Sequence, residues 1–289
     1  MPNIGVCFSG GIAKGAFQIG FCKALLNYIK LDDISAVSAS SIGSWNAAAF
    51  LTENIDYAEE LWLDNGAERL HKTIHLLTKR LNTFNRFDLM INDNINIDKD
   101  FFVTCCEFPS MSVNHYNVKG WEPSEIRKIL HAAVSIPSLM QPIKVNNKKL
   151  IDGAFRDNIP LKPLLDIDLD LIFVVHFDPF WVYQGDAQNS DKIINLCFFI
   201  NEHIIKNSFD FRNKSISKMI DMGYIRTTEL LETLFRNGTK DLEYILHVNK
   251  AYNTKALNAD KGLNTDRMIN IMNEVSNKAE RLLKKIINS

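Results

Sequence analysis

The chain has 289 residues, enough to bury a substantial core, and its 33 Lys+Arg against 34 Asp+Glu leave a formal net charge of −1. Near-neutrality removes the global field that draws nucleic acid or an anionic membrane, so such a partner would need a local patch, and the basic clusters Lys72/Lys79/Arg80 and Lys144/Lys148/Lys149 are small enough to be solvated faces. No nucleic-acid partner is expected. Five cysteines without a C-x-x-C pair beside histidines argue against a disulfide framework and against a metal site, so neither a metal nor another cofactor is expected. Cys7, Cys22 and Cys197 lie in apolar runs as small hydrophobes, whereas the adjacent Cys105 and Cys106 are not expected to face the core together if they lie on one strand. The N-terminus lacks a basic leader, and the longest apolar run, Leu171 to Val175, is too short to span a bilayer. A reduced, cytoplasmic protein is expected.

Ile4 to Phe8 reads as a first strand, and Ser9-Gly-Gly-Ile-Ala-Lys-Gly15 as a glycine-rich turn opening a helix from about Ala16 to Tyr28. Such a turn gathers unpaired N–H groups and the helix dipole into an anion site. A dinucleotide fingerprint is excluded because Ile12 stands where glycine is needed and Val37-Ser38 stand where an acidic residue should end the next strand. A P-loop is excluded because Lys14 precedes its glycine. The remaining reading is an oxyanion hole built from the amides of Gly10, Gly11 and Ile12.

Its counterpart follows at once. Ile34 to Ser40 reads as a buried strand and Ser41 to Phe50 as a helix rich in small residues, with Ser41 at the joint. A hydroxyl at such a turn is lifted out of the sheet, and the next amide, that of Ile42, points where an anion would form. Positions flanking the serine by two must be small; here they are Ala39 and Gly43. Ser41 is therefore a candidate nucleophile.

Tyr57 to Leu81 has a helical pattern, while Asn82 to Asp100 breaks regularity yet carries Phe84, Phe87, Leu89, Met90 and Ile91. That segment is read either as a loop whose apolar residues tuck under the fold or as a flap over an acyl pocket. Strands are expected over Phe101–Phe108, Ser112–Val118 and Asp170–Phe177, a helix opened by Pro123, and a hairpin over Ile143–Leu150 turning at Asn146-Asn147. The seven histidines lie in helices and strands, away from glycine turns. Asp152 differs, because it ends a strand and precedes Gly153, where another backbone can approach. Desolvation beside Ser41 would raise its pKa toward that of a useful base. Asp32, Asp33 and Asp157 read as caps or turn formers.

Ser9-Gly-Gly-Ile-Ala-Lys-Gly15, Ala39-Ser-Ser41-Ile-Gly43 and Asp152-Gly153 resemble, in order, the three motifs of the patatin-like phospholipase family, with Ala132 to Pro137 and Asn158-Ile-Pro160 similar to its connecting segments. The resemblance covers about Ile4 to Asp178, with Ile12 and Ala39 in place of two family glycines. It implies a three-layer α/β/α fold with a mostly parallel central sheet and a metal-free lipid acyl hydrolase acting on membrane phospholipids or related acyl esters. Ser41 would form the acyl-enzyme and Asp152 would act as its base. Gly10, Gly11, Ile12 and Ile42 would hold the oxyanion, with Lys14, Gly15, Gly43 and Gly153 as motif support. On this reading residues 1–185 form the catalytic core and 186–289 a helical region packed on it, its last helix near Thr265–Ile286 offering a homodimer contact as the alternative to packing on the core. Three rival readings stand beside it: an α/β-hydrolase triad, which would need more strands before Ser41; a non-catalytic phosphate- or acyl-binding module; and an acyltransferase working through the same dyad.

Overall fold

The computed structural model describes residues 2–63, 87–137, 140–198, 208 and 210–260. Eight strands form one sheet: β1 (Ile4–Phe8), β2 (Ile34–Ser40), β3 (Asp100–Glu107), β4 (Ser112–Asn117), β5 (Ile143–Val145), β6 (Lys148–Asp152), β7 (Leu171–His176) and β8 (Ile193–Cys197). Their order is β5-β6-β3-β2-β1-β7-β8, with β4 also paired to β3. The run from β3 through β2, β1 and β7 to β8 is parallel, while β4, β5 and β6 join by antiparallel pairings. The central strands β1, β2 and β7 are buried almost throughout, as continuous apolar runs covered on both faces require.

Strand alternation divides the core into two layers. Val6, Phe8, Val37, Ala39, Phe101, Val103, Phe173 and Val175 face a thick layer, filled by α1 (Ala16–Leu25), α2 (Ile42–Leu51), α3 (Ile55–Leu63) and α4 (Pro123–Ala133). Cys7, Ala36, Ile172 and Val174 face a thinner layer closed by Leu161, Leu164 and Leu169, around the one-turn α5 (Lys162–Leu165). The result is a three-layer α/β arrangement with a mixed, mostly parallel sheet. Cys105 and Cys106 depart from expectation, because both are buried. Alternation does send them to opposite faces, but β3 lies inside the sheet and both of its faces are covered.

The Asn146-Asn147 turn forms as expected, with φ of 46° and 64° at the two asparagines, the left-handed pair that a two-residue hairpin demands. The first helix ends at Leu25 and relaxes into a turn reaching Ile29, short of a full helix to Tyr28. The helical pattern from Tyr57 is present as α3, and its continuation to Leu81, like the final stripe from Thr265, lies outside the described residues. Within the 82–100 segment, the described part tucks inward. Phe87, Met90, Ile91 and Ile97 are buried, Asp88 meets His131 at 2.8 Å, and Arg127 bonds both Ile91 O and the Asp93 carboxylate. Leu89 alone of its apolar residues faces out.

Beyond α6 (Ala187–Lys192) and β8, α7 (Asn213–Leu234) and α8 (Leu242–Asp260) complete the described chain. α7 crosses α1 backbone against backbone. A Cβ on Gly20 would sit 2.0 Å from Ile220 O, and one on Gly223 would sit 2.2 Å from Phe17 O. These are backbone obstacles that no rotamer change relieves. Gly223→Ala should therefore lower the unfolding free energy by about 2–4 kcal/mol, read as a drop in the urea midpoint. A midpoint unchanged from wild type would contradict this packing.

Candidate active site

The site is set by how β3 shares its edges. β4 pairs with Phe102–Glu107 along one edge, so β2 and β6 must divide the other. β2 pairs from Ala36–Asp100 to Ser40–Thr104 and stops, and β6 takes over in the opposite direction with Asp152 against Cys105. Two strands thus end nose to nose at one point on β3. One delivers Ser41 and the other Asp152.

Ser41 Oγ donates to Asp152 Oδ2 at 2.6 Å. Asp152 Oδ1 accepts from the Ala154 amide at 2.8 Å, which turns the carboxylate and leaves one oxygen for the serine. Its backbone is fixed as well, since Asp152 N donates to Ser135 O at 2.9 Å. Burial pushes the Asp152 carboxyl up to about 6, against the opposing hydrogen bonds from Ser41 and Ala154. Among the described residues, His115, His131 and His176 are engaged elsewhere, with Asp157, Asp88 and Asn195 respectively. Asp157 is therefore a hydrogen-bond partner of a strand histidine as well as a turn residue.

Ser41 has φ 51° and ψ −133°, a strained conformation at the strand–helix joint. Its side chain does not cap α2, so the hydroxyl is free for the carboxylate. The turn leaves no space. A Cβ on Gly43 would lie 2.6 Å from Ser9 O and 2.8 Å from Phe8 O, so α2 starts directly against the end of β1. A Cβ on Gly10 would lie 2.8 Å from the Ser41 Cβ and 2.6 Å from Asn158 Oδ1, which places the glycine loop in contact with the serine. Gly15 and Gly153 are similarly hemmed in, by Ile42 and Trp62 and by Thr104.

One expected donor is corrected. The Gly10 amide donates to Asn158 O at 3.3 Å, while Asn158 Nδ2 donates back to Gly10 O at 3.4 Å, so that N–H is already spent. The amides of Gly11, Ile12 and Ile42 have no acceptor among the described residues. Ile12 adopts φ 53°, the left-handed region in which a β-branched residue is strained. Lys14 lies over the Phe177 ring at 5.2 Å, and burial pulls its ammonium down to about 8. The same ring fills the space a Gly11 side chain would need, at 2.4 Å.

Four contributors were not anticipated from the sequence: Asn158, Gln18, Asn46 and Trp62. Gln18 Nε2 donates to Ser9 O at 2.7 Å, Asn46 Nδ2 donates to Gly15 O at 2.9 Å and to Gln18 Oε1 at 2.8 Å, and Trp62 Nε1 donates to Asn46 Oδ1 at 3.1 Å. This buried network ties both ends of the glycine loop to α2, the helix that starts at the serine. Polar residues inside otherwise apolar helices were the available signal.

With that geometry in place, residues 6–165, more than half of the chain, match the profile of patatin-like phospholipases. The chain belongs to the patatin-like phospholipase family. Among curated relatives of this patatin-like domain, it is 26% identical over 183 residues to lysophospholipase NTE1 of Cryptococcus neoformans, a match covering 60% of this chain and 11% of that one. It is 27% identical over 187 residues to a patatin-like phospholipase domain-containing protein of Caenorhabditis elegans, covering 60% and 16%. The match thus spans well under a fifth of either relative's length. Among solved structures, the backbone is similar to VipD from Legionella pneumophila, with TM-score 0.47, 13% identity, and coverage of 99% of this chain and 79% of that one. It is also similar to ExoU in its complex with SpcU from Pseudomonas aeruginosa, with TM-score 0.41, 15% identity, and coverage of 90% and 60%.

Two stability outcomes follow from the site of this patatin-like domain. Ile12→Gly keeps the amide and removes the left-handed strain, so it should raise stability by about 1 kcal/mol after the added chain entropy of glycine. Denaturant unfolding reads it directly. Asp152 has a folded pKa of about 6, above its ordinary 3.8, so its ionised form is penalised in the native state. Stability is lost as pH rises between those two values and stays lost at neutrality. Asp152→Asn should therefore raise the melting temperature at pH 7 by an amount equivalent to about 3 kcal/mol, and the gain should vanish near pH 4.

Proposed function

We propose that this chain is a lipid acyl hydrolase cleaving carboxyl esters of membrane lipids through a Ser41–Asp152 dyad and an acyl-enzyme. The reading is carried by the 2.6 Å bond from the strained Ser41 hydroxyl to a buried carboxylate. Family membership and the lysophospholipase name of one relative support the substrate class.

In this mechanism Ser41 Oγ attacks the ester carbonyl as Asp152 Oδ2 takes its proton. A carboxylate of ordinary pKa would be a weak partner, and burial brings it closer to the operating pH. Negative charge develops on the former carbonyl oxygen, where the amides of Gly11, Ile12 and Ile42 and the N-terminus of α2 stabilise it. Collapse of the tetrahedral intermediate breaks the ester C–O bond, and Asp152 returns its proton to the leaving alcohol. Water then enters and attacks the acyl carbon as it gives a proton to Asp152; collapse breaks the bond to Ser41 Oγ, Asp152 returns that proton to the serine, and the fatty acid leaves. Both half-reactions use the same two side chains, so no third ionisable group is required. Lys14, over the Phe177 ring, holds the loop that carries the amides.

Ser41→Ala should reduce turnover of a short-chain p-nitrophenyl ester by at least about 10³-fold with the fold intact, and should abolish labelling by a fluorophosphonate probe. A variant that still turned over the ester or took the label would remove Ser41 from the reaction. Because the base works deprotonated, kcat/KM should fall as pH drops through about 6. An acid limb near 4 would mean that the active carboxylate is not desolvated.

A further inference from the structure

A rim of exposed apolar and cationic side chains lies beyond the site, at the end of β3. β3 is level with Ser40 at Thr104 and continues to Phe108, about 13 Å further along the strand. Phe108 N donates to Lys149 O at 2.7 Å, extending the β3–β6 pairing, and Lys149 is paired in turn with Lys144. These three residues therefore project from one face. Val113 pairs with Cys106, two residues before Phe108, and so shares that face. The loop after Asp152 lies along it too: Asp157 bonds His115, two residues beyond Val113, and Arg156 is near enough to act on the Cys106 thiol. Phe155 sits beside the Arg156 guanidinium at 5.7 Å.

Phe155 is 51% exposed, Phe108 46% and Val113 38%, three of the more exposed large apolar residues among those described. Lys144, Lys149 and Arg156 are exposed and enter no ion pair among the described residues. The nearby acids are engaged, Glu107 in an ion pair with Lys148 and Asp157 in a hydrogen bond with His115. A rim of apolar tips with unmatched cations is complementary to one kind of surface, an apolar layer fronted by negative charge. One member of the rim, Phe155, follows Asp152 by three positions in the chain.

We propose that Phe108, Val113 and Phe155, flanked by Lys144, Lys149 and Arg156, dock this chain on an anionic lipid bilayer. The proposal rests on the lipid hydrolase reading, for which the site must meet a bilayer. The cations engage headgroup phosphates while the apolar tips enter the interface.

The test is co-sedimentation of the full chain with ether-linked vesicles, which resist ester hydrolysis, of phosphatidylcholine with and without phosphatidylglycerol. Wild type should bind only when phosphatidylglycerol is present. The double variant Lys144→Gln/Lys149→Gln should bind about thirty-fold more weakly, at roughly five-fold per charge, and Phe108→Ser about ten-fold more weakly. Both variants should hydrolyse a water-soluble short-chain ester at the wild-type rate. Equal binding to neutral vesicles, or unchanged affinity in the lysine variant, would overturn the proposal. No vesicle binding by wild type would overturn it as well and turn attention to an acidic protein partner. If wild type fails to hydrolyse the soluble ester, the hydrolase reading falls, and the vesicle affinities still decide the docking surface, with circular dichroism reporting the fold of each variant.

Discussion

The site depends on one packing constraint, that a single edge of β3 is divided between two strands running in opposite directions. β2 reaches Thr104 and ends, and β6 begins its pairing at Cys105. The two loose ends must turn away from each other's path, and each turn carries one member of the Ser41–Asp152 pair. The Ser41–Asp152 bond is a product of that junction, although 111 positions separate the residues in sequence. Glycine is needed where the junction crowds the backbone, at Gly10 and Gly43, because a Cβ there would strike Ser41 or the end of β1.

Around this junction the structure fixes one layer and strains another. The Gln18–Asn46–Trp62 network binds the glycine loop to α2 in a buried setting where hydrogen bonds are strong and unmet ones costly. Ser41 and Ile12, by contrast, occupy left-handed backbone conformations. Strain of this kind persists only when the surroundings over-determine it, and here the buried amide side chains and the Asn158 clamp on Gly10 supply that determination. The ionised Asp152 is a further cost borne at the site, in a pocket that resists its charge.

Much of this could be read from the chain itself. The strand–turn–helix around Ser41, the strand end at Asp152 and the Asn146-Asn147 hairpin are local patterns, set by residues within a few positions of each other. The apolar runs of β1, β2 and β7 signalled strands covered on both faces. What escaped the sequence was decided at long range. The Gly10 amide is spent on Asn158, 148 positions away, and nothing in the glycine loop announces that partner. Cys105 and Cys106 looked like one inward and one outward residue because alternation describes a strand, not the layers placed over it. The exposed Phe108 and Val113 looked like ordinary strand residues until pairing with β6 and β4 put them at a rim.

The crossing of α1 and α7 has a consequence for how this sequence can drift. Gly20 and Gly223 each press on a main-chain carbonyl of the opposite helix, so neither can acquire even a methyl group while the other helix stays put. A descendant that loses one glycine must separate the helices, and α1 begins at the loop that faces Ser41. Variation far from the chemistry is thereby held to the same tolerance as the chemistry.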